Sequence, residues 1–485
     1  MTATGFQAPD TEEMGVVEQF VEPTPNVIDW DGLDDPANPM NWPEYKKNIH
    51  IILVAVFSLS ANLASTMFAP GAEELSREFE ITNTTVQELT VSIYVLGFAI
   101  GPLFLAPLSE LYGRLIIYYV SSIVYFAFTV GCAFSTNTVM FIIFCFITGT
   151  AASGPMSVGG GTVADITPQE ERGRAISLLG FGPLLGPVLG PVIGGFVSET
   201  IGWRWSFRLI LILSGVLSIV TFVLMRETNA SVLLRRKVER QRKDTGNEKL
   251  LAKGHTGEAP GQIIRRAIVR PLKMLIFSPI VLLLSLYTGV LFGLIFLLFT
   301  TFPQVFGETY GFSAGISGLA YLGLGIGLIA ALIIFATLSD KLLGQKRDGK
   351  VARAEERLIL MKWFAPITPI GCFIYGWTAY YKVHWIVPII GTFIIGFGSL
   401  FVILPVQTYL VDYFGPEAAA SALAANLVIR SPFGAFLTLA APPLYGKLGL
   451  GWGNSVLGFI CLLFTPVPWL FYRYGESLRI HFAVE

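Results

Sequence analysis

The chain has 485 residues, of which 53% are hydrophobic and 14% charged, and its mean hydropathy is +0.63. A water-soluble domain so rich in apolar side chains would aggregate, so this composition excludes an ordinary soluble globular protein. The formal net charge of -1 favours no class of partner. The apolar residues form twelve long runs, each near the roughly 20 residues that a helix needs to cross a bilayer.

The polar, acidic segment 1–47 has no apolar signal-peptide region, and it predicts a disordered cytosolic tail. Trp42, near its end, is expected at the membrane interface in an aromatic belt. The predicted membrane-spanning helices are 48–70, 87–108, 114–134, 138–160, 174–199, 205–226, 275–301, 314–338, 359–380, 385–410, 418–444 and 453–474. These runs are apolar on all faces, which excludes the alternating strands of a membrane β-barrel.

The distribution of basic residues predicts the orientation of these spans. Most of the 33 Lys and Arg residues fall in the two tails and in the even-numbered loops. By the positive-inside rule, both termini are therefore expected in the cytosol. The residues that depart from this distribution are Arg77, Arg204, Arg208, Lys382 and Lys447 in the other loops and Arg430 within a span.

The longest connection divides the chain into two sets of six spans. The predicted order is a six-helix bundle over 48–226, a cytosolic linker over 227–274, a second six-helix bundle over 275–474 and a cytosolic tail over 475–485. Leu108-Ser109-Glu110 closes the second span, and Leu338-Ser339-Asp340 closes the eighth, at the same place in each half. Repeated halves are typical of secondary transporters.

The fifth span contains the most specific local pattern, in which Gly186, Gly190, Pro191, Gly194 and Gly195 match gxxxGPxxGG. Glycines four residues apart make a smooth helix face that another helix can approach closely. Proline removes backbone donors and permits bending. The pattern therefore indicates either tight packing or a hinge between the two halves.

The chain resembles the major facilitator superfamily, and within it the fungal 12-span drug:proton antiporters. The glycine pattern resembles the antiporter motif of that superfamily. The other segments that carry the resemblance are Trp30–Trp42, Gly101–Arg114, Gly159–Asp165, Glu171–Ala175, Ser421–Arg430 and Gly449–Gly453. The resemblance implies an all-α fold of two six-helix bundles around a central cavity, which alternates between two access states. It also implies that substrate moves outward while protons move inward.

By the same resemblance, the loop motif latches the two bundles, and its matching positions here are Glu110, Gly113 and Arg114. Asp340 occupies the equivalent place in the second half. A solvated ion pair is worth only about 0–1 kcal/mol, so helix capping is an equally good interpretation of Glu110 and Arg114. We group these four residues with the glycine pattern as candidate gating residues.

Three departures bear on proton coupling. The loop motif of the family has Asp and then Arg where this chain has Glu110 and Leu111. An arginine that the family associates with proton handling is replaced by Cys145, four residues before Gly149. A glutamate that relatives often carry near Thr300 is missing as well.

The acidic residues near the spans are expected at or beyond the span ends, where water reaches them. They are Glu88, Glu110, Asp165, Glu199, Asp340 and Asp412. Arg430 is the ionisable residue predicted near the middle of the bilayer, where an arginine costs roughly 2.5–3.5 kcal/mol on insertion scales. Its guanidinium should therefore face the cavity, fork onto a carboxylate, or bond helix carbonyls as a structural tie.

Other polar side chains at membrane depth complete the predicted substrate cavity with Arg430. They are Asn62, Tyr94, Tyr287, Tyr321, Gln407 and Asn426. For each of them an interhelical hydrogen bond is the competing interpretation. Together they would give polar handles in an otherwise apolar cavity, which suits a hydrophobic or amphipathic ligand.

Nothing in the sequence predicts an enzyme, a cofactor, a metal site or a nucleic-acid partner, because no catalytic or phosphate-binding motif occurs. The four cysteines are interpreted as small packing residues. Asn83 begins a glycosylation sequon but lies close to the membrane, so it is only a weak candidate for modification.

The sequence favours a monomeric plasma-membrane exporter of a small organic molecule, such as a drug or a fungal secondary metabolite, with proton antiport. An uncoupled facilitator or importer of an organic acid or another small solute is the alternative that Cys145 favours. A transport-inactive sensor is a third possibility, although the tail and the linker are short for one. The identity of the substrate is not encoded in any of these patterns.

Overall fold

The computed structural model describes residues 26–32, 34–168, 172–253, 260–344 and 354–481. Within them the chain is almost entirely helical. The helices of the first half are α1 Glu44–Met67, α2 Ala72–Glu78, α3 Thr84–Tyr112, α4 Arg114–Ala133, α5 Thr138–Ala152, α6 Gly154–Ile166, α7 Arg172–Ile201 and α8 Arg204–Leu224. Those that follow are α9 Ala230–Thr245, α10 Pro260–Phe277, α11 Pro279–Tyr310, α12 Ala314–Gly344, α13 Leu358–Phe364, α14 Ile367–Tyr380, α15 Ile386–Leu439, α16 Ala441–Phe464 and α17 Val467–His481.

Twelve stretches of the described chain are long and apolar enough to cross a membrane, and each overlaps one predicted span. Two of them, Ile386–Phe414 and Ser421–Leu439, lie in the long helix α15. Because an even number of crossings returns the chain to its starting side, the first crossing begins and the twelfth ends on one side, here called the terminus side. The opposite side is called the distal side.

Each half has its own apolar interior. In the second half, one large cluster of buried side chains surrounds α11, with Leu291, Leu294 and Phe302 fully buried. In the first half, the buried apolar residues divide into several smaller clusters. The halves meet where α7 packs on α12 and where α3 packs on the second crossing of α15.

The described part of the segment before α1, residues 26–32 and 34–43, contains more structure than the sequence predicted. Within the described part of this segment, β1 (Val27–Ile28) pairs in parallel with β2 (Leu251–Ala252) of the linker. Trp42 is only 7% exposed and packs on a cluster that includes Val163 and Ile166, so its ring contacts other residues of the protein. Backbone pairing and this apolar contact supply the order that the polar composition of the tail did not indicate.

Candidate functional site

Arg430 lies at the middle of the crossing Ser421–Leu439. Its guanidinium carbon lies 4.8 Å from the ring centroid of Phe292 in α11. Among the described residues, the buried Nε has no hydrogen-bond partner and the ion pairs do not include Arg430. Of the alternatives left open for Arg430, the fork onto a carboxylate is not seen among the described residues, and the guanidinium makes a cation–π contact instead.

Arg430 lies close to the contact between the halves. One turn further along α15, a Cβ built on Gly434 would lie 3.0 Å from the Phe292 ring and 3.2 Å from Val95 of α3. One turn before it, the Asn426 amide donates hydrogen bonds to Thr288 (2.8 Å) and Ser285 (3.4 Å) of α11. Asn426 thus ties α15 to α11 and holds the crossing that presents Arg430.

Three of the predicted cavity residues are buried tyrosines, and each packs against residues of its own half. Tyr94 donates a hydrogen bond to the Ala61 carbonyl at 2.9 Å, and Tyr321 donates one to the Phe299 carbonyl. Tyr287 is fully buried and stacks on Phe464, and its hydroxyl has no partner among the described residues. These positions fit the competing interpretation of interhelical contacts better than a ligand surface.

The remaining two candidates differ from each other. The Asn62 amide donates hydrogen bonds to the Ser58 carbonyl at 2.8 Å and to the Met156 sulfur at 3.4 Å. Its Cβ lies 2.5 Å from the position of a Cβ built on Gly186, so Asn62 lies at the contact between α1 and α7. Gln407 is half-buried in the first crossing of α15. The structure therefore does not gather all the predicted polar groups around Arg430.

The glycines of the fifth span have two partners. Gly186, Gly190 and Gly194 all face α1, and a Cβ on Gly190 would lie 2.9 Å from the Leu63 carbonyl oxygen. Gly195 instead faces the other half, where a Cβ would lie 2.6 Å from the Ala314 carbonyl oxygen. Most of the motif therefore packs one half together, and its end seals the contact between halves.

The distal contact between α7 and α12 is tight. A Cβ on Gly318 would lie 2.7 Å from the carbonyl oxygen of Pro191. The Glu199 carboxylate of α7 accepts a hydrogen bond from the backbone N–H of Gly315 at 2.7 Å. Anionic groups are favoured near the N-terminus of a helix, and Gly315 lies in the first turn of α12. This structure is thus closed between α7 and α12 on the distal side.

The loop motif forms a polar network on the terminus side of the first half. Arg114 donates hydrogen bonds from Nε to Asp165 at 3.2 Å and from Nη1 to Ser109 at 2.6 Å. Glu110 is exposed, so in this state the arginine pairs with Asp165 rather than with the glutamate four residues before it. Gly113 has a φ of 106°, a backbone conformation that favours glycine.

Glu227, which the sequence interpretation missed, completes this network. Its carboxylate is 5% exposed and accepts hydrogen bonds from the backbone N–H groups of Arg114 (2.8 Å) and Leu115 (3.3 Å) at the start of α4. It also accepts hydrogen bonds from the backbone N–H groups of Thr228 (3.1 Å) and Asn229 (3.0 Å). A Cβ on Gly113 would collide with this carboxylate, which explains the glycine. No local pattern distinguishes Glu227 from any other loop glutamate.

Glu88 was expected at or beyond a span end, and it lies one turn into α3, which begins at Thr84. Its side chain is half-buried and lies near Thr300 of α11, in the second half. The hydroxyl of Thr300 donates a hydrogen bond to the Leu297 carbonyl at 3.1 Å.

The other residues named in the sequence analysis are Asp340, Asn83 and the four cysteines. Asp340 lies in α12, but its side chain is outside the described part of the structure. Asn83 is exposed and caps α3, accepting a hydrogen bond from the Thr85 N–H at 2.9 Å. The four cysteines are free and buried, as their interpretation as packing residues predicted.

Comparison with known proteins agrees with this geometry. The family model described as Major Facilitator Superfamily matches residues 52–439. The MFS transporter fsa7 of Fusarium sp. (strain FN080326) is 70% identical over 95% of this chain and 90% of its own length. The Trichosetin biosynthesis cluster MFS transporter of Gibberella fujikuroi (strain CBS 195.34 / IMI 58289 / NRRL A-6831) is 64% identical over 97% of this chain and 92% of its own length.

Solved structures show the same fold at low sequence identity. A partially occluded inward-open form of the xylose transporter XylE from E. coli has a TM-score of 0.68 and is 17% identical, covering 88% of this chain and 98% of that one. The match to the family model and the similarity to these transporters confirm the predicted family and fold class. The chain is a multi-pass membrane transporter, not an enzyme, and it belongs to the major facilitator superfamily.

Proposed function

We propose that this transporter exports a small hydrophobic or amphipathic fungal secondary metabolite, or a drug of similar chemistry, across the plasma membrane. In this proposal it works as a monomer by alternating access, and protons move inward as the substrate moves outward. The terminus side, with most of the basic residues, is cytosolic, and the distal side is extracellular. The candidate gating residues and the polar cavity residues serve this cycle.

Arg430 is the observation that carries the proposal. A cation at membrane depth is costly unless it is compensated, and here the structure provides an aromatic face but no described carboxylate. An anionic or strongly polar group on an otherwise apolar substrate would satisfy the buried Nε. The name of the trichosetin cluster transporter supports a metabolite as the cargo and supplies a practical probe.

The first test compares Arg430→Ala and Arg430→Lys with the wild-type protein in proteoliposomes that contain trichosetin. Loss of a charged hydrogen bond costs about 1.5–3 kcal/mol, so we expect R430A to lower transport at least about tenfold. R430K keeps a positive charge and should therefore recover part of the lost transport. Exposed Lys447, changed to Ala, serves as the control for loss of a positive charge. Wild-type transport by R430A would contradict the assignment.

An uncoupled facilitator or importer is the second candidate, and Cys145 is the observation that favours it. Cys145 is buried 3.5 Å from the sulfur of Cys132 and offers no charge for proton handling. Trichosetin efflux is measured with and without an ionophore that dissipates the proton gradient. Antiport requires that efflux fall when the gradient is removed, whereas unchanged efflux would establish the facilitator.

A further inference from the structure

We propose that the linker helix α10 lies along the terminus-side surface of the bilayer and binds anionic phospholipids there through Arg265 and Lys273. Lipid binding of this kind involves neither the substrate nor protons, and the proposed orientation is needed only to call that leaflet cytosolic. Three features of α10 support it, namely its position beside a crossing, its two different faces and its charge.

The position of α10 places it at the membrane surface. The helix ends at Phe277, and Ser278 alone separates it from the seventh crossing, Pro279–Tyr310, which begins on the terminus side. Ser278 has an extended backbone, with a φ of -111° and a ψ of 102°, so α10 does not continue the axis of that crossing. The twelve stretches that can cross the membrane do not include α10. The helix therefore lies at the terminus-side edge of the bilayer without crossing it.

One face of α10 carries exposed apolar side chains beside basic ones. Val269, Leu272 and Ile276 are 37%, 43% and 73% exposed. Their spacing of three and four residues places them on one side of the helix, and the exposed Arg265 continues this side one turn earlier. Lys273 is exposed at its border. We call these five residues the lipid-facing stripe, because a basic helix with such an apolar side is typical of helices that lie in the membrane interface.

The opposite face of α10 packs on the transporter itself. Met274 and Leu275 are buried in the large apolar cluster of the second half. The helix also packs against α15 of the second half and α3 of the first half. These contacts turn the lipid-facing stripe away from the described helices. At the edge of the bilayer, the stripe therefore meets lipid head groups and the first part of the acyl chains.

The charge of α10 selects the kind of lipid. Residues 260–277 contain no acidic residue and four basic ones, which are Arg265, Arg266, Arg270 and Lys273. Among the described residues, the ion pairs do not include Arg265 or Lys273. An anionic leaflet attracts a nearby basic residue by about fivefold in binding. A second copy of this chain would bring the same positive charges against the stripe, so charge favours anionic lipid as its occupant.

The test measures contact between the lipid-facing stripe and lipid in the full-length protein. Val269→Cys carries a thiol-linked fluorophore, and mock labelling of the wild type checks that the buried cysteines do not react. The protein is placed, one copy per nanodisc, in an equimolar mixture of phosphatidylcholine and phosphatidylserine, with bromine on the acyl chains of one lipid or the other. Because bromine quenches a fluorophore only on contact, the two mixtures give the preference of the stripe for phosphatidylserine.

We expect quenching by both lipids, with a preference for phosphatidylserine of about tenfold or more. The same fluorophore on Glu239→Cys, at an exposed position of α9, provides the reference in water and should not be quenched.

Two pairs of substitutions in the labelled protein assign the preference to the stripe. Arg265→Gln with Lys273→Gln should lower the preference at least about fivefold, because two attracted charges are lost. Arg236→Gln with Arg240→Gln removes the same charge from exposed positions of α9 and should leave the preference unchanged.

Quenching at Val269 no stronger than at Glu239 would show that α10 stands in water and would overturn the proposal. Equal quenching by the two lipids, or a preference that survives R265Q with K273Q, would contradict the assignment to anionic lipid. Quenching that falls when two copies share a nanodisc would place a second copy on the stripe instead. Trichosetin does not enter the measurement, so these outcomes are independent of the proposed export.

Discussion

The terminus-side network of the first half and the distal contact between the halves consist of different kinds of contact. The network joins Arg114, Asp165 and Glu227 through several short hydrogen bonds, all within one half. The distal contact joins two halves through small residues and a hydrogen bond from the Gly315 N–H to the Glu199 carboxylate.

The alternating access that we propose would explain this difference. Groups within one half can keep their partners in every state, so a dense polar network there leaves no buried polar group without a hydrogen-bond partner. Groups that bond across the contact between the halves lose their partners each time the halves separate. Each buried polar atom left without a partner costs about 1–3 kcal/mol. Smooth helix faces with few polar contacts therefore suit the surface that separates.

The largest expected effect comes from overpacking the distal contact with Gly195→Leu. A Cβ there would already lie 2.6 Å from the Ala314 carbonyl oxygen, so closure becomes unfavourable by about 1–3 kcal/mol. We expect trichosetin transport in proteoliposomes to fall at least about tenfold, because each 1.4 kcal/mol changes an equilibrium about tenfold. Spin labels on Thr82 and Val383, two exposed residues in connections between helices on the distal side, should report an open distal side.

Gly180→Leu, in the same helix, is the matched control, because a Cβ on Gly180 meets no atom within 4 Å. This variant should transport as the wild type does. Equal transport by G195L and G180L would show that the α7–α12 contact is not part of the moving surface.

A smaller effect is expected for Glu227→Gln in the terminus-side network. The amide keeps one acceptor oxygen but loses the charge that holds the N-terminus of α4, at a cost of about 1.5–3 kcal/mol. Thermal unfolding of the purified protein should shift to lower temperature. Glu239→Gln, an exposed change in α9, provides the reference, and a shared unfolding temperature for the two variants would refute the structural role of Glu227.

The smallest effect concerns the contact between the tail and the linker, where Asp29 pairs with Lys253 at 2.6 Å. The hydrogen bond from Lys253 lowers the pKa of Asp29. Asp29→Asn should cost about 0–1 kcal/mol, because the pair is partly exposed. Hydrogen exchange of the Leu251 amide, which bonds the Asn26 carbonyl, should therefore quicken by about fivefold at most.

The sign of the pH dependence follows from the lowered pKa of Asp29. The contribution of the pair is fully present above the unfolded-state pKa of about 3.9, and it is lost as the pH falls through the lower folded-state pKa. Exchange of Leu251 in the wild type should therefore approach that of D29N only below about pH 4. Convergence near neutral pH would show that another group controls the contact.

How far the sequence predicted the site differs from residue to residue. The close helix packing around Gly186 was predicted from the spacing of the glycines. The depth of Arg430 in the membrane was predicted from its place in an apolar run. Both signals are local in the sequence. Glu227 was missed because its partner, the start of α4, lies far away in the chain. Tyr94 and Tyr321 were predicted in the cavity with an interhelical hydrogen bond as the competing interpretation, and both make such a bond.

The sequence by itself determined the class of this protein, the number of its crossings and the division into two halves. These properties depend on the length and spacing of apolar runs, because each segment must satisfy its own backbone hydrogen bonds within the bilayer. Only the tertiary structure decided which carboxylates meet which helices, and that the motif glycines divide between α1 and α12. Those contacts depend on how the helices rotate and pack against each other, which residue spacing within one helix does not specify.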